Sequence, residues 1–172
     1  MAARLGGFTD TLVSIEGLRG TDVADTLIGS DGDNLLRGQR GADSLDGGTG
    51  YDSADHRNDT DLNGDGFGVI VNLSNGAVTI PGFGAEGTLV VGAGRARDGW
   101  GDTDSLAGFE AARGSFANDV LVGAQRAPAF TFAGLNFHAQ DASSLRGMLG
   151  ADTLIGAAPE DGVIASYRDD AS

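Results

Sequence analysis

Residues 20–55 divide without remainder into four nonapeptides, GTDVADTLI, GSDGDNLLR, GQRGADSLD and GGTGYDSAD. Each opens on glycine (Gly20, Gly29, Gly38, Gly47). Each carries an acid or amide at its sixth place (Asp25, Asn34, Asp43, Asp52) and an apolar residue at its eighth (Leu27, Leu36, Leu45, Ala54). Glycine and Asp in front suit a turn, and the residues behind suit a short strand. Two such units make one coil of a flattened helix, so residues 18 apart stack along one edge, about 4.8 Å from strand to strand. That places Asp25 by Asp43 and Asn34 by Asp52, and extends the row from Asp43 to Asp61. Stacked carboxylates repel by roughly 1 kcal/mol in water and by several times that at a partly buried edge. A bound cation reverses the sign. Calcium, which takes roughly 6–8 oxygen ligands including backbone carbonyls, suits such turns. The eighth-place residues predict an apolar ladder between two sheets.

Composition agrees with that reading. The 172-residue chain has 25 acids against 11 bases, a formal charge of −14. Asp supplies most of the acid; Glu occurs only at Glu16, Glu86, Glu110 and Glu160. A chain this acidic is a poor partner for nucleic acid or an anionic membrane surface, and it attracts divalent cations. Without cysteine there is no disulfide and no thiolate metal site. No apolar run reaches the length of a spanning helix, so membrane insertion is not expected. Met1–Gly7 lacks the apolar core of a signal peptide. Export through another signal, or origin as a piece of a longer protein, remain as alternatives.

The repeat returns further along. Residues 102–123, moved back by 94, set Leu106 on Leu12, Glu110 on Glu16, Arg113 on Arg19, Gly114 on Gly20, Asp119 on Asp25 and Leu121 on Leu27. In RGMLGADTLIG (146–156), Gly147, Asp152 and Leu154 take the same roles, and Asp161 and Val163 take them in the nonapeptide after it. Between the blocks, VIVNL and AVTI flank Ser74-Asn75-Gly76, a hairpin or tight-corner signal. The division expected is 1–66 for an N-terminal flank and the nonapeptides, 67–101 for a β-rich insert, and 102–172 for degenerate repeat blocks and a cap, all in one continuous domain. Residues 124–145 read as a strand plus an irregular or short helical cover.

Other motifs are weaker. Asp61, Asn63, Asp65 and Gly66 fit the start of an EF-hand-type calcium loop, but position twelve is Asn72 where a bidentate Glu is expected. A lone calcium loop and a solvated turn both remain open. His56 and His138 are the only histidines, and no G-x-S-x-G elbow accompanies them, so catalysis is not expected. His56 reads as a strand-end residue. VGAGRAR (91–97) reads as a loop.

The nonapeptides resemble the repeats-in-toxin (RTX) family of hemolysin-type calcium-binding repeats, a known β-helix repeat pattern. GGTGYDSAD fits that pattern best. The resemblance implies an all-β fold, a parallel β-roll that is a calcium-stapled solenoid, with a hairpin-like insert and degenerate capping repeats. It implies Ca²⁺ between turns two nonapeptides apart, on Asp25 with Asp43 and on Asn34 with Asp52. The full set of metal candidates adds Asp61, Asn63, Asp65, Asp119, Asp152 and Asp161. Thr21, Ser30 and Gln39 replace the second glycine, and Val23 replaces the fourth-place one, which predicts a weak or vacant site at Gly20–Asp25. The functional expectation is a secreted, non-catalytic calcium-binding protein, exported by type I secretion. It would fold on binding Ca²⁺ and serve a structural or assembly role at the cell surface or in extracellular matrix, with head-to-tail stacking into oligomers or filaments. The alternative is an accessory C-terminal module of a secreted enzyme, a protease or a polysaccharide epimerase or lyase.

Overall fold

The computed structural model describes residues 2–5, 8–11, 14–60, 64, 66–82, 87–124, 143–156 and 163–166. Among these every regular element is a strand. The first two strands are β1 (Ala2–Leu5) and β2 (Phe8–Thr11). The nonapeptide region holds β3 (Gly17–Arg19), β4 (Thr26–Ile28), β5 (Leu35–Arg37), β6 (Ser44–Asp46) and β7 (Ser53–Asp55). The insert holds β8 (Ile70–Asn72), β9 (Val78–Pro81), β10 (Thr88–Val91) and β11 (Arg95–Arg97). The last blocks hold β12 (Thr103–Ala107), β13 (Ala111–Arg113), β14 (Val120–Val122), β15 (Ser143–Arg146), β16 (Thr153–Ile155) and β17 (Val163–Ser166).

Each nonapeptide contributes one short strand, and successive strands alternate between two sheets. Strand β4 pairs in parallel with β6, Leu27 opposite Leu45, and β5 pairs in parallel with β7, Leu36 opposite Ala54. Both registers are 18 residues. One sheet runs β17-β15-β13-β7-β5-β3, parallel throughout. The other runs β16-β14-β8-β11-β12-β6-β4-β1-β2 and includes antiparallel members at β1, β2 and β11. The arrangement is consistent with a β-roll. Leu27, Leu36, Leu45 and Ala54 are all at most 1% exposed and share one core with Val71, Leu106, Ala112, Leu121 and Leu145. Apolar side chains alternate inward along each strand, so the eighth-place row becomes the core row.

The insert departs from the expected row. From Asp43 the row passes to Asp104, and Asp61 lies outside the described residues. The place beside β6 is taken by β12, with Ser105 opposite Ser44 and Leu106 opposite Leu45. After β7 the chain turns at His56–Asp59, with the Asp59 N–H donating to the His56 carbonyl, and the 18-residue period stops there. Ser74-Asn75-Gly76 is a corner rather than a hairpin: β8 pairs with β11 and β14, while β9 pairs with β10. Residues 91–97 are not a simple loop either, since Arg95–Arg97 forms β11 between β8 and β12. The β9–β10 hairpin packs Ile80 and Val91 on Ile70 and Val120, a second apolar cluster. Most of the cover proposed at 124–145 lies outside the described residues.

Candidate metal centre

The sixth-place side chains form a ladder along the strand starts. The Asp25 N–H donates to Asp43 Oδ1 (2.8 Å), and the Asp43 N–H donates to Asp104 Oδ1 (2.9 Å). In the other sheet the Asn34 N–H donates to Asp52 Oδ1 (2.7 Å), and the Asp52 N–H to Glu110 Oε2 (2.9 Å). The last block repeats the motif, with the Asp119 N–H on Asp152 Oδ1 (3.0 Å). Asp25, Asn34, Asp43, Asp52, Asp104 and Asp119 are all buried. One carboxylate oxygen of Asp43, Asp52, Asp104, Glu110 and Asp152 is thus spent on the coil next door, which fixes the side chain, while Asp25 Oδ2 accepts from Thr21 in its own turn.

The other oxygen is the informative one. Asp25 Oδ1, Asp43 Oδ2, Asp52 Oδ2, Asp104 Oδ2 and Asp152 Oδ2 are buried with no hydrogen-bond partner. A buried carboxylate oxygen without a partner carries a desolvation cost that a cation or a proton removes. Turn carbonyls come close to the same side chains. A Cβ built on Gly20 would meet both Asp25 Oδ2 (2.5 Å) and the Gly38 carbonyl (2.6 Å); one on Gly29 would collide with the Gly47 carbonyl and approach Asn34 Oδ1. Glycine opens each unit because carboxyl and carbonyl oxygens occupy the space a side chain would need. Oxygen-only donors, mixed carboxylate and carbonyl, suit a hard cation such as calcium. Among the described residues no three His, Cys, Asp or Glu side chains converge as a ready cluster, so carbonyls would have to complete any such site.

The candidate residues are not equivalent. Asn34 donates its amide to Ser30 Oγ (3.2 Å) and to the Gly32 carbonyl, and its Oδ1 accepts the Ser30 N–H (3.0 Å), so it closes its own turn and leaves no bare oxygen. Asp119 is also satisfied: Oδ1 accepts from Val69 N–H and Ser115 Oγ, and Oδ2 from Ser115 N–H. Asp61, Asn63, Asp65 and Asp161 lie outside the described residues. Asp104 and Glu110 were not among the sequence candidates, because the insert breaks the period. The tripeptide Asp104-Ser105-Leu106 does repeat Asp43-Ser44-Leu45 and is the signal that marks the former. Asn34→Asp should strengthen calcium binding: a second carboxylate oxygen would face the Gly32 carbonyl, a repulsion that only a cation relieves. Isothermal titration should show a lower Kd or an added ion; no change would mean that this turn does not take part.

Burial, the largest cause, raises the carboxyls of Asp43, Asp104 and Asp119 to about 7 and that of Asp52 to about 6, opposed by hydrogen bonds to the charged form. A carboxyl whose folded value is raised penalises the metal-free fold once pH exceeds it, and the penalty fades as pH falls toward the unfolded value near 3.8. The metal-free fold should therefore gain stability from pH 7 to pH 4, while calcium, which needs carboxylates, should bind more weakly over the same range and release protons on binding at neutral pH. Titration calorimetry in buffers of different ionisation enthalpy reads those protons; a buffer-independent heat would contradict this.

Residues 19–54 match the RTX calcium-binding nonapeptide repeat, in four copies. That segment is an RTX calcium-binding repeat array, and repeats of this kind bind Ca²⁺. They are generally non-catalytic modules, and the proteins that carry them are typically secreted. No curated protein and no solved structure matches the chain. Among the described residues no helix is long and apolar enough to cross a membrane.

Proposed function

We propose that the chain is a secreted, non-catalytic parallel β-roll that folds on binding Ca²⁺ and serves a structural, assembling role at the cell surface or in extracellular matrix. What carries this reading is the row of buried carboxylates whose second oxygens have no partner. Asp25, Asp43 and Asp104 would hold calcium on one edge and Asp52, with Asn34 and Glu110, on the other; Asp119 and Asp152 would do so in the last blocks. The ion supplies positive charge that turns repulsion between coils into a bridge. Asp61, Asn63, Asp65 and Asp161 complete the proposed ligand set. At a Kd of about 10⁻⁴ M and about 1 mM free calcium, each site adds roughly 1.4 kcal/mol.

Open sheet edges support the assembly role. Among the described residues, strands β3 and β17 end one sheet, and β2 and β16 end the other, each with one paired side. Such edges template pairing with another chain, and head-to-tail pairing that does not close makes filaments. Light scattering with calcium and with chelator tests this. Calcium-dependent growth of large species is expected. A calcium-loaded monomer at all concentrations would contradict assembly and favour an accessory module of a secreted enzyme.

A further inference from the structure

The nonapeptides do not account for a second pair of buried acids. Asp59 sits in the turn after β7 and Asp98 in the loop after β11, 1% and 0% exposed. Backbone contact brings these segments together: a Cβ on Gly99 would collide with the Thr60 carbonyl and come within 2.8 Å of its nitrogen. Each carboxylate is aimed by one oxygen. Asp59 Oδ2 lies 2.9 Å from His56 Nδ1. Asp98 Oδ1 accepts the N–H groups of Trp100 (3.0 Å) and Asp102 (2.8 Å). The remaining oxygens, Asp59 Oδ1 and Asp98 Oδ2, are buried without a partner, and so is His56 Nε2 on a ring that is itself 2% exposed. Asp59 and Asp98 lie within electrostatic reach of one another, and Asp98 within reach of Asp43 and Asp104.

One cation sits among these acids: burial lowers the His56 imidazolium, but its bond to Asp59 and the charges of Asp59, Asp104 and Asp55 raise it to about 9, so a single positive charge faces Asp43, Asp59, Asp98 and Asp104. Among the described residues, Arg37, Arg57 and Arg113 pair with Asp55, and Arg40 lies over the Trp100 ring at 5.1 Å. We propose that Asp59 and Asp98 hold a hard divalent cation of the calcium type, outside the nonapeptide turns, that clamps the 98–102 loop of the insert to the 56–60 corner. The donors are carboxylate oxygens, which suits calcium and not a thiolate- or imidazole-seeking metal. His56 is a positioning residue, holding Asp59 through Nδ1. The effect of the ion would be to lock the insert onto the end of the array, so that the two fold together.

The chain carries its own reporter. Trp100 is its one tryptophan, and its backbone N–H is already bonded to Asp98. Terbium(III), a calcium surrogate, is added to the full chain and its emission is excited through the tryptophan band. The proposal predicts a saturable component that excess calcium displaces. Asp59→Asn and Asp98→Asn, which lie 39 residues apart, should each weaken that same component at least tenfold. Asn retains the oxygen that accepts the positioning hydrogen bonds, so calcium-dependent circular dichroism should survive in both. Asp25→Asn should leave the component in place. Emission indifferent to both substitutions, or emission that excess calcium does not displace in the unmutated chain, would overturn the proposal. Calcium-dependent folding retained in that event would leave the nonapeptide reading standing.

Discussion

Asp43→Ala should raise the calcium concentration needed for folding by roughly 100-fold, an effect of about 3 kcal/mol. Three losses combine. Asp43 Oδ1 no longer accepts the Asp25 N–H, which stays buried. The unpartnered Oδ2, the oxygen proposed to face the ion, disappears. Asp25 and Asp104 are then left on either side of a row broken at its centre. Asp22→Ala is the matched control: Asp22 is exposed, at the third place of its nonapeptide, and outside the ladder, so its removal should shift the midpoint less than about twofold. Circular dichroism over a calcium titration reads both. Equal effects would mean that the sixth-place register is wrong.

Asp55→Ala should destabilise the calcium-loaded fold by roughly 3–5 kcal/mol, the usual result of removing one member of a buried ion pair. The strand registers set Arg19, Arg37, Asp55, Arg113 and Arg146 in one row across the parallel sheet. Asp55 is fully buried at its centre, bonded to Arg37, 3.2 Å from Arg57 and 3.9 Å from Arg113. Burial lowers the Arg113 guanidinium, and the neighbouring arginines lower it further; Asp55 is what opposes them. Without Asp55 the row is a stack of like charges at strand spacing. Thermal unfolding should drop by more than about 6 °C, at roughly 2–4 °C per kcal/mol for a chain of this size. A fall recovered by high salt would confirm that repulsion, which salt screens, is the cause. An unchanged midpoint would mean that the arginines find solvent without it.

The nonapeptide region was legible because its period is unbroken. Leu27, Leu36, Leu45 and Ala54 declare the core row by spacing alone, and Asp25, Asn34, Asp43 and Asp52 declare the ladder. Legibility fails where the period ends. Asp43 was expected to meet Asp61, yet its neighbour is Asp104, 61 residues on, because β12 returns to the position the next nonapeptide would have filled. Glu110 takes the sixth place in the other sheet through the parallel β7–β13 pairing, and no local pattern announces a Glu in an Asp column. His56 reads as an ordinary strand-end residue. Its burial against Asp59 depends on the insert folding over it, information held in residues some forty positions away. The antiparallel β11 is hidden in the same way, since Arg95-Ala96-Arg97 gains strand structure from β8 and β12 on either side and not from its own composition.

The arrangement has one physical consequence that dominates the rest. Several buried carboxylates, each with an oxygen lacking a partner, are stacked at strand spacing in a chain of charge −14. With glycine at 30 of 172 positions, the unfolded chain also has much conformational entropy to lose. On the proposed reading, bound calcium would offset both. Far-ultraviolet circular dichroism of the chain in excess chelator, followed by titration with calcium to millimolar concentrations at neutral pH, tests this most directly. A disordered spectrum converting to a β spectrum as calcium rises is the predicted result. A β spectrum already complete in chelator and unmoved by calcium would contradict it.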